Sequence, residues 1–282
     1  MLAMGMLKES QQELGLECSG VVTRVGSSQK HDLKAGDKAC ALSMHGHFAN
    51  HVRVPATSAV RIPKSMSFET AASMTMTFAT AFYSLFWAGR AEDNETVLIH
   101  AAAGGVGQAC LSLAQLRGLD IYVTVGSQEK RDFLIDKYGI SPGRIFSSRD
   151  PSFAKKIWAA TDYTGVDIII NSLAGKLLDV GWNLLAPHGR FVEIGKRDIH
   201  ENKSLDMESF QRGLSFIHVD LIQLADDKPA IIHRILQRLV SLMSQKLIKP
   251  VSPINTFSIS EIGRAFRLMQ SSTHTGKIVI VP

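Results

Sequence analysis

The sequence predicts an α/β protein in which a doubly wound parallel sheet is joined to a smaller, mostly-β module. From residue 97 onward, short apolar runs alternate with amphipathic segments of helical length, which is the pattern of βαβ units. One of these runs opens into a turn rich in glycine that leads into a helical segment. The earlier part of the chain instead carries short β-type runs separated by turn residues.

The predicted β module contains three strands near the start of the chain, at 18–26, 35–42 and 47–55. The second follows a Gly-Asp turn, and the third alternates polar and apolar residues before a proline. Small and apolar residues from Phe68 to Leu85 then recur at helical spacing. A further strand at 276–282 follows the α/β region, and we expect it to return to this module.

The α/β region contains six predicted strands, which are separated by segments long enough for helical crossovers. These strands fall at 97–100, 121–125, 144–147, 166–170, 190–194 and 215–219. The clearest helices between them are 105–117 and 128–138, and crossovers of this length require parallel neighbours. Two more helices are predicted at 232–247 and 258–270. The predicted domains are therefore a mostly-β module of residues 1–75 and 248–282 and an α/β domain of residues 76–247.

Composition and charge exclude several classes of function. The 282 residues are 45% hydrophobic and 20% charged, without an apolar run of the roughly 18 residues that a membrane span requires. The net charge of +5 is scattered along the chain, so we expect no nucleic-acid partner. Three widely spaced cysteines and an N-terminus without a basic segment predict a cytoplasmic protein that is not attached to a membrane.

The turn after the strand at 97–100 resembles a dinucleotide-binding fingerprint, with Ala102 in place of the first glycine of G-x-G-x-x-G. Gly104 leaves room for a pyrophosphate, and Gly107 allows the helix to pack closely on the strand. The N-terminus of the helix then faces the phosphates. The candidate residues are Ala103, Gly104, Gly105, Val106 and Gly107. The alternative is a turn whose glycines serve close packing alone.

The residues after the second strand indicate which cofactor binds. NAD sites place a carboxylate there, about twenty residues after the glycines, whereas this strand ends on Gly126-Ser127 with Lys130 and Arg131 close behind. A hydroxyl and a cation suit the 2′-phosphate of NADPH. We therefore predict NADPH, held by Ser127 and Lys130, with Arg131 directed away and Tyr138 lining the adenosine phosphate region. The alternative makes the cations ordinary charges on a helix surface.

The chain resembles the medium-chain dehydrogenase/reductase superfamily and, within it, the enoyl reductase domains of polyketide synthases, especially the fungal highly reducing ones. Five ordered blocks carry the resemblance across nearly the whole chain, at 14–22, 100–109, 125–131, 167–173 and 189–198. It implies that the α/β domain is of the Rossmann type and that the β module is GroES-like. Because family members carry further residues before the first block, it also implies that the module is truncated at its N-terminus.

The resemblance implies that NADPH transfers a hydride to the β-carbon of an α,β-unsaturated thioester and that the α-carbon then takes a proton. The implied partners are an acyl carrier protein, whose phosphopantetheine arm holds the enoyl substrate, and the other domains of a polyketide synthase. Pairing through the last strand of the sheet, 215–219, makes a homodimer possible. The acyl chain length, the α-methylation of the substrate and the stereochemistry of protonation stay open.

The family's candidate proton donors stand in its I-G-K-x-D block, which here supplies Lys196 and Asp198 after the strand at 190–194. Lys196 is predicted to donate a proton or to stabilise the enolate, and Asp198 to donate or to position the lysine. The alternative is a surface salt bridge at a strand end. Gly195 and Asn171, at the ends of neighbouring strands, are predicted to contact the cofactor, although asparagine is also common as a turn residue.

The sequence predicts that no metal is bound. Zinc alcohol dehydrogenases of the superfamily use a Cys, a His-Glu pair and further cysteines, but Leu16 replaces the histidine here and three cysteines cannot form a Cys₄ site. His45, His47 and His51 would share one face if their region were a strand. We expect these histidines to be surface or hydrogen-bonded residues.

Two other functions are compatible with the sequence. One is a free-standing quinone or 2-alkenal reductase of the same superfamily. The other is a fragment that binds NADPH without catalysis, which the shortened β module motivates.

Overall fold

The computed structural model describes residues 14–27, 32–43 and 46–282. Its strands and helices follow one another along the chain as β1 Glu17–Val21, β2 Lys38–Leu42, β3 Ala59–Arg61, α1 Phe68–Phe82, β4 Thr96–Ile99, α2 Gly105–Arg117, β5 Asp120–Val125, α3 Gln128–Tyr138, β6 Ile145–Ser147, α4 Ser152–Ala160, β7 Val166–Asn171, α5 Lys176–Asn183, β8 Leu185–Glu193, α6 Arg197–His200, β9 Ser215–His218, α7 Leu221–Asp227, α8 Pro229–Ser244, β10 Ile254–Ser258, α9 Ile262–Ser271 and β11 Lys277–Val281. A π-helical segment, Tyr83–Ala88, directly follows α1.

Six strands form one parallel sheet in the order β6-β5-β4-β7-β8-β9. The chain starts in the middle, winds to one edge, returns and winds to the other, which is the doubly wound order of a Rossmann fold. This confirms the predicted fold class and the six predicted strands. The helices α2 and α3 begin and end at the predicted residues.

The sheet has apolar residues on both faces because helices cover both sides. The central strands are accordingly continuous buried runs, Val97 to Ile99 in β4 and Ile168 to Ile170 in β7. On one side, Trp182 of α5 packs with its ring against Phe191 of β8 and Phe216 of β9. These contacts fix the outer strands of the sheet onto the helix that precedes them.

The β module consists of an antiparallel sheet, β1-β2-β3, and a parallel pair, β10-β11. The carboxylate of Glu17 in β1 forms an ion pair with the ammonium group of Lys277 in β11. The last strand of the chain thus returns to the module that contains the first strand, as expected from its position after the α/β region.

The strand predicted at 47–55 is wrong, because no strand forms there in the described chain. The N–H groups of His47 and Phe48 donate to the carbonyls of Gly15 and Leu14, just before β1, and a series of bends follows. The segment therefore has the alternating polar and apolar pattern of a strand, but no neighbouring strand forms a hydrogen-bonded ladder with it. The strand predicted at 18–26 also ends early, at Val21.

Packing divides the chain into two compact units. One unit is Thr80–Val219, and the other combines Met1–Ala79 with Asp220–Pro282. Residues 220–247 thus group with the β module, whereas we assigned them to the α/β domain. The reason is that α8 contacts the short segment Ala56–Ser58 and β3, both in that unit. The domain boundaries at 75/76 and 247/248 stay a prediction.

The three cysteines carry free thiols. Burial raises the pKa of Cys18 to about 11 and the pKa values of Cys40 and Cys110 to about 12, so these groups remain protonated near neutral pH. In the part of the chain that the structure describes, no helix combines the length and the apolar character that crossing a lipid bilayer requires.

Candidate functional site

The predicted site residues of the α/β unit stand at the carboxyl ends of its strands. The glycine turn follows β4, Ser127 and Lys130 follow β5, Asn171 ends β7, and Gly195 to Asp198 follow β8. Because the strands are parallel, these ends share one edge of the sheet, and β4 and β7 are neighbours at the point where the winding reverses. In doubly wound sheets this point forms the ligand crevice.

The glycine turn has the geometry of a phosphate-binding loop. A Cβ on Gly107 would lie 2.5 Å from the carbonyl oxygen of Ala101 and from the Cα of Ala102, so only glycine permits this helix packing. A Cβ on Gly104 would meet the carbonyl oxygen of Ala101 alone, at 3.3 Å, so the space around that position is otherwise open. The left-handed residue of the turn is Ala101, with φ of +50°, which explains why alanine is accepted at 102.

The N-terminus of α2 is suited to an anion. Gly104 is its N-cap, and no side chain of the described residues accepts a hydrogen bond there. Gly105 and Val106, in the first turn, are partly exposed, whereas Ala103 is buried. The first N–H groups of a helix lack partners within the helix and carry its positive dipole end, so this turn can bind a pyrophosphate.

Tyr138 is linked to the glycine turn through Gln108, and its contact with a cofactor stays a prediction. Its ring is buried, and its hydroxyl donates to Oε1 of Gln108 at 3.0 Å. The amide nitrogen of Gln108 donates in turn to the carbonyl of Ala103 at 2.9 Å. Burial raises the pKa of Tyr138, so the phenol stays protonated. Tyr138 is thereby linked to the turn through Gln108.

The end of β5 carries a cluster of one hydroxyl and two cations. Ser127 is the N-cap of α3 and accepts from the N–H of Lys130 at 3.4 Å. Arg149, which follows β6, donates through Nε to the carbonyl of Gly126 at 2.7 Å. Partial burial and the neighbouring Arg149 guanidinium together lower the pKa of Lys130, so the two cations lie close to each other. Sequence reasoning missed Arg149, although it stands at the same sheet edge, after the next strand.

Arg131 is directed away from this cluster, as the sequence predicted. Its guanidinium donates to the carbonyls of Ile145 and Pro142. It therefore holds α3 against the segment that leads into β6.

Asn171, the last residue of β7, is fully buried. Its side-chain oxygen accepts from the N–H of Leu173 at 3.2 Å, and its amide nitrogen donates to the Leu173 carbonyl at 2.7 Å and to the carboxylate of Glu193. The side chain thus shapes the loop after β7, the turn-residue role that we left open. Contact between Asn171 and a cofactor stays a prediction.

Glu193, at the end of β8, is the second residue that sequence reasoning missed. Its side chain is buried, with 1% of the residue exposed. One carboxylate oxygen accepts from the amide of Asn171, and the other accepts from the backbone N–H of Gly195. A Cβ on Gly195 would lie 2.6 Å from Oε1 of Glu193, so a side chain at 195 would displace the carboxylate from its present position. The signal in the sequence is a charged residue between the apolar Val192 and Ile194, at the end of a predicted strand.

Burial raises the pKa of Glu193 to about 7, with a smaller contribution from the negative charge of Asp198, against the hydrogen bonds from Asn171 and Gly195. The backbone carbonyl of Glu193 accepts from the N–H of Val219 at 2.8 Å and lies 3.2 Å from Nδ1 of His218. Glu193 thus connects the ends of three neighbouring strands, β7, β8 and β9.

Lys196 and Asp198 lie in different surroundings. Lys196 is the exposed N-cap residue of α6. Asp198 is 8% exposed, and both of its carboxylate oxygens face the N–H of Gly175, at 2.9 and 3.1 Å. Lys203 completes this contact, because its ammonium group donates to the Gly175 carbonyl at 2.6 Å and to Asp179 at 2.9 Å. Asp198 therefore connects α6 to the loop before α5.

No group of three or more His, Cys, Asp or Glu side chains suited to a metal occurs among the described residues. His47 bonds through Nε2 to the hydroxyl of Ser43 at 2.6 Å, and burial lowers its pKa. His45 lies outside the described residues. Because 47–55 forms no strand, the shared face that we considered for His47 and His51 does not arise.

Comparison with known proteins agrees with this geometry. Residues 143–280 match the family model described as zinc-binding dehydrogenase. A highly reducing polyketide synthase of Penicillium oxalicum is 48% identical over the whole chain, and the lovastatin diketide synthase of Aspergillus terreus is 45% identical over 99% of it. The chain spans 11% of the length of each of these synthases.

Two solved structures cover almost the whole chain. The CurK enoyl reductase is 35% identical, with a TM-score of 0.85, over 96% of this chain and 79% of its own. The CurF ER cyclopropanase of the curacin A biosynthetic pathway is 30% identical, with a TM-score of 0.87, over 99% of this chain and 81% of its own. With its parallel sheet, its glycine turn and these relatives, the chain belongs to the enoyl reductases of polyketide synthases, within the medium-chain dehydrogenase/reductase superfamily.

Proposed function

We propose that this chain is an NADPH-dependent enoyl reductase that reduces the α,β-double bond of a carrier-bound enoyl thioester during polyketide synthesis. Membership of the enoyl reductase family supports the reaction. The cluster of Ser127, Lys130 and Arg149 around Gly126 is the observation that carries the choice of NADPH. A phosphate gains charge-assisted hydrogen bonds from such groups, and β5 ends at Val125 and leads into Gly126-Ser127 without a carboxylate to repel it.

The described residues fit the remainder of the cofactor. The N-terminus of α2, where no side chain caps the helix, and the open space beside Gly104 would receive the pyrophosphate, while Ala103, Gly105 and Val106 would surround it. The loops that contain Asn171 and Gly195 stand at the adjacent strand ends, where the nicotinamide half of the cofactor would lie. Tyr138 would act through Gln108 by holding the turn.

When bound, NADPH would supply the hydride that the β-carbon of the substrate takes. The electron pair of the double bond would go to the thioester carbonyl, whose oxygen would carry negative charge until the α-carbon takes a proton. Lys196, exposed after Gly195, would donate a hydrogen bond to that oxygen or a proton to the α-carbon. Asp198 would hold the lysine's helix in place through Gly175. No metal is included in this scheme.

The proposed partners are an acyl carrier protein, which presents the substrate on phosphopantetheine, and the other domains of a polyketide synthase. The similarity to one segment of several such synthases supports them. A homodimer would form through β9, which is bonded on one side to β8 and stands at the edge of the sheet.

The test is an assay of NADPH oxidation with crotonyl and 2-methylcrotonyl pantetheine thioesters. Turnover of the thioesters, without turnover of naphthoquinone or a free 2-alkenal, is the expected result. The reverse preference would identify a quinone or alkenal reductase. If NADPH raises the melting temperature but no substrate is reduced at high protein concentration, the chain is an NADPH-binding protein without catalysis.

A further inference from the structure

We propose that Glu193 is a positioning residue whose ionised carboxylate holds the loops after β7 and β8 together and so orients Gly195 and Lys196 at the active site. This inference rests on the proposed function for its kinetic test, and on geometry alone for its structural test.

The carboxylate of Glu193 has two acceptor oxygens, which face different loops. One faces a donor on β7, the amide nitrogen of Asn171, and the other faces a donor beyond β8, the N–H of Gly195. An ionised carboxylate accepts both bonds, whereas a protonated one must point its hydroxyl hydrogen at one of the two donors. Protonation therefore breaks one connection between the loops.

The carboxylate of Glu193 connects two loops that carry predicted site residues. Asn171 shapes the loop of Leu173 through two hydrogen bonds. Gly195 directly precedes Lys196, the N-cap of α6. Release of either donor would let these segments move relative to each other, beside the strand ends where the winding reverses and ligands bind.

One of the groups around Glu193 carries a negative charge. Asp198 on α6 adds a negative charge, Asn171 on β7 is neutral, and the ring of His218 on β9 contacts the Glu193 backbone carbonyl. Because burial already disfavours the ionised form, with a pKa of about 7, the carboxylate is expected to take up a proton in the range where enzymes of this kind work. The orientation of Lys196 should then depend on pH.

The test compares Glu193→Gln with the wild type and with Asp167→Asn. Glutamine has the shape of the protonated carboxyl and, like it, accepts through one oxygen alone. Asp167 is the matched control, because its carboxylate accepts from Thr96 at the other end of β7. We expect Glu193→Gln to lower kcat about tenfold at pH 8, because the variant loses one charge-assisted hydrogen bond. The melting temperature should not fall. The kcat of the variant should stay flat between pH 6 and 8, whereas that of the wild type falls below about pH 7.

Amide hydrogen exchange provides the readout that needs no substrate. At pH 8, segments 171–175 and 193–198 should exchange about tenfold faster in Glu193→Gln than in the wild type, and this ratio should approach one at pH 6. Asp167→Asn should change neither segment. Equal exchange in the wild type and Glu193→Gln at pH 8, or a lowered melting temperature that accounts for the loss of kcat, would overturn the proposal. An inactive wild type with the expected exchange would refute the proposed function and leave the positioning role standing.

Discussion

The hydroxyl of Tyr138 donates to Gln108 at 3.0 Å, and Gln108 donates to the carbonyl of Ala103 at 2.9 Å, so a residue at the end of α3 is linked to the glycine turn. Tyr138→Phe removes this hydrogen bond while keeping the ring. We expect an increase of about fivefold in the Kd of NADPH and a loss of about 1 kcal/mol in unfolding free energy. Fluorescence titration measures the Kd of NADPH, and urea denaturation measures the unfolding free energy. An unchanged Kd would show that the turn keeps its shape without Tyr138.

The two central glycines of the turn should separate binding from stability. Gly107→Ala places a methyl group 2.5 Å from backbone atoms of Ala101 and Ala102, so we expect a loss of about 1–3 kcal/mol in unfolding free energy. Gly104→Ala meets one protein atom, at 3.3 Å, so its stability should stay within about 0.5 kcal/mol of the wild type.

Gly104→Ala should nevertheless weaken NADPH binding at least tenfold, because the methyl group occupies the surface that a pyrophosphate would approach. Calorimetric titration of both variants provides the comparison. A stable Gly104→Ala variant with wild-type affinity would place the phosphates elsewhere.

The cations after β5 and β6 should determine the preference between NADPH and NADH. Lys130→Glu is expected to raise the Kd of NADPH about 10–100-fold, the cost of a charge-assisted contact, and to change that of NADH little. Arg149→Ala should act in the same direction. Lys137→Glu, an exposed charge reversal at the other end of α3, is the matched control. Equal losses for both cofactors in Lys130→Glu would refute the assignment.

Lys196 and Asp198 should respond differently to substitution. Lys196→Ala removes an exposed side chain, so we expect a lower kcat with an unchanged melting temperature and an unchanged Kd for NADPH. Asp198→Ala leaves the N–H of Gly175 without its carboxylate and should cost about 1–3 kcal/mol of unfolding free energy. Turnover assays and thermal denaturation of each variant separate the loss of kcat from the loss of stability. Normal turnover in Lys196→Ala would move proton donation to another group.

The raised pKa of Glu193 predicts how stability depends on pH. The folded protein holds this proton up to about pH 7, whereas an ordinary glutamate releases it near 4.5. Between these values the folded state binds more protons than the unfolded chain, so the contribution of this group to unfolding free energy falls as pH rises, by about 3 kcal/mol in all. Urea denaturation of the wild type and Glu193→Gln from pH 4.5 to 8 measures the difference. The relative stability of the variant should increase with pH, and a constant difference would contradict the assignment.

Local sequence patterns were sufficient for most of the fold. Continuous apolar runs such as 97–100 and 166–170 predict strands covered on both faces, and the spacing between them requires parallel crossovers. The glycines at 104 and 107 predict a turn that a ligand and a helix approach closely. These features depend on residues that are near one another in the sequence, so periodicity and spacing reveal them. The alternation at 47–55 misled because a strand also needs a partner, which periodicity alone does not supply.

The sequence by itself therefore determined the α/β class, the doubly wound parallel sheet and the glycine turn. Tertiary structure decided the partners of those residues. Arg149 meets Gly126 across 23 positions, Glu193 meets Asn171 across 22, and Asp198 meets Gly175 across 23. The carboxyl ends of parallel strands are brought together by crossovers, so residues that are about one βαβ unit apart become neighbours. Whether a carboxylate at such an end faces a substrate or a backbone N–H depends on side-chain direction and burial, which only packing fixes.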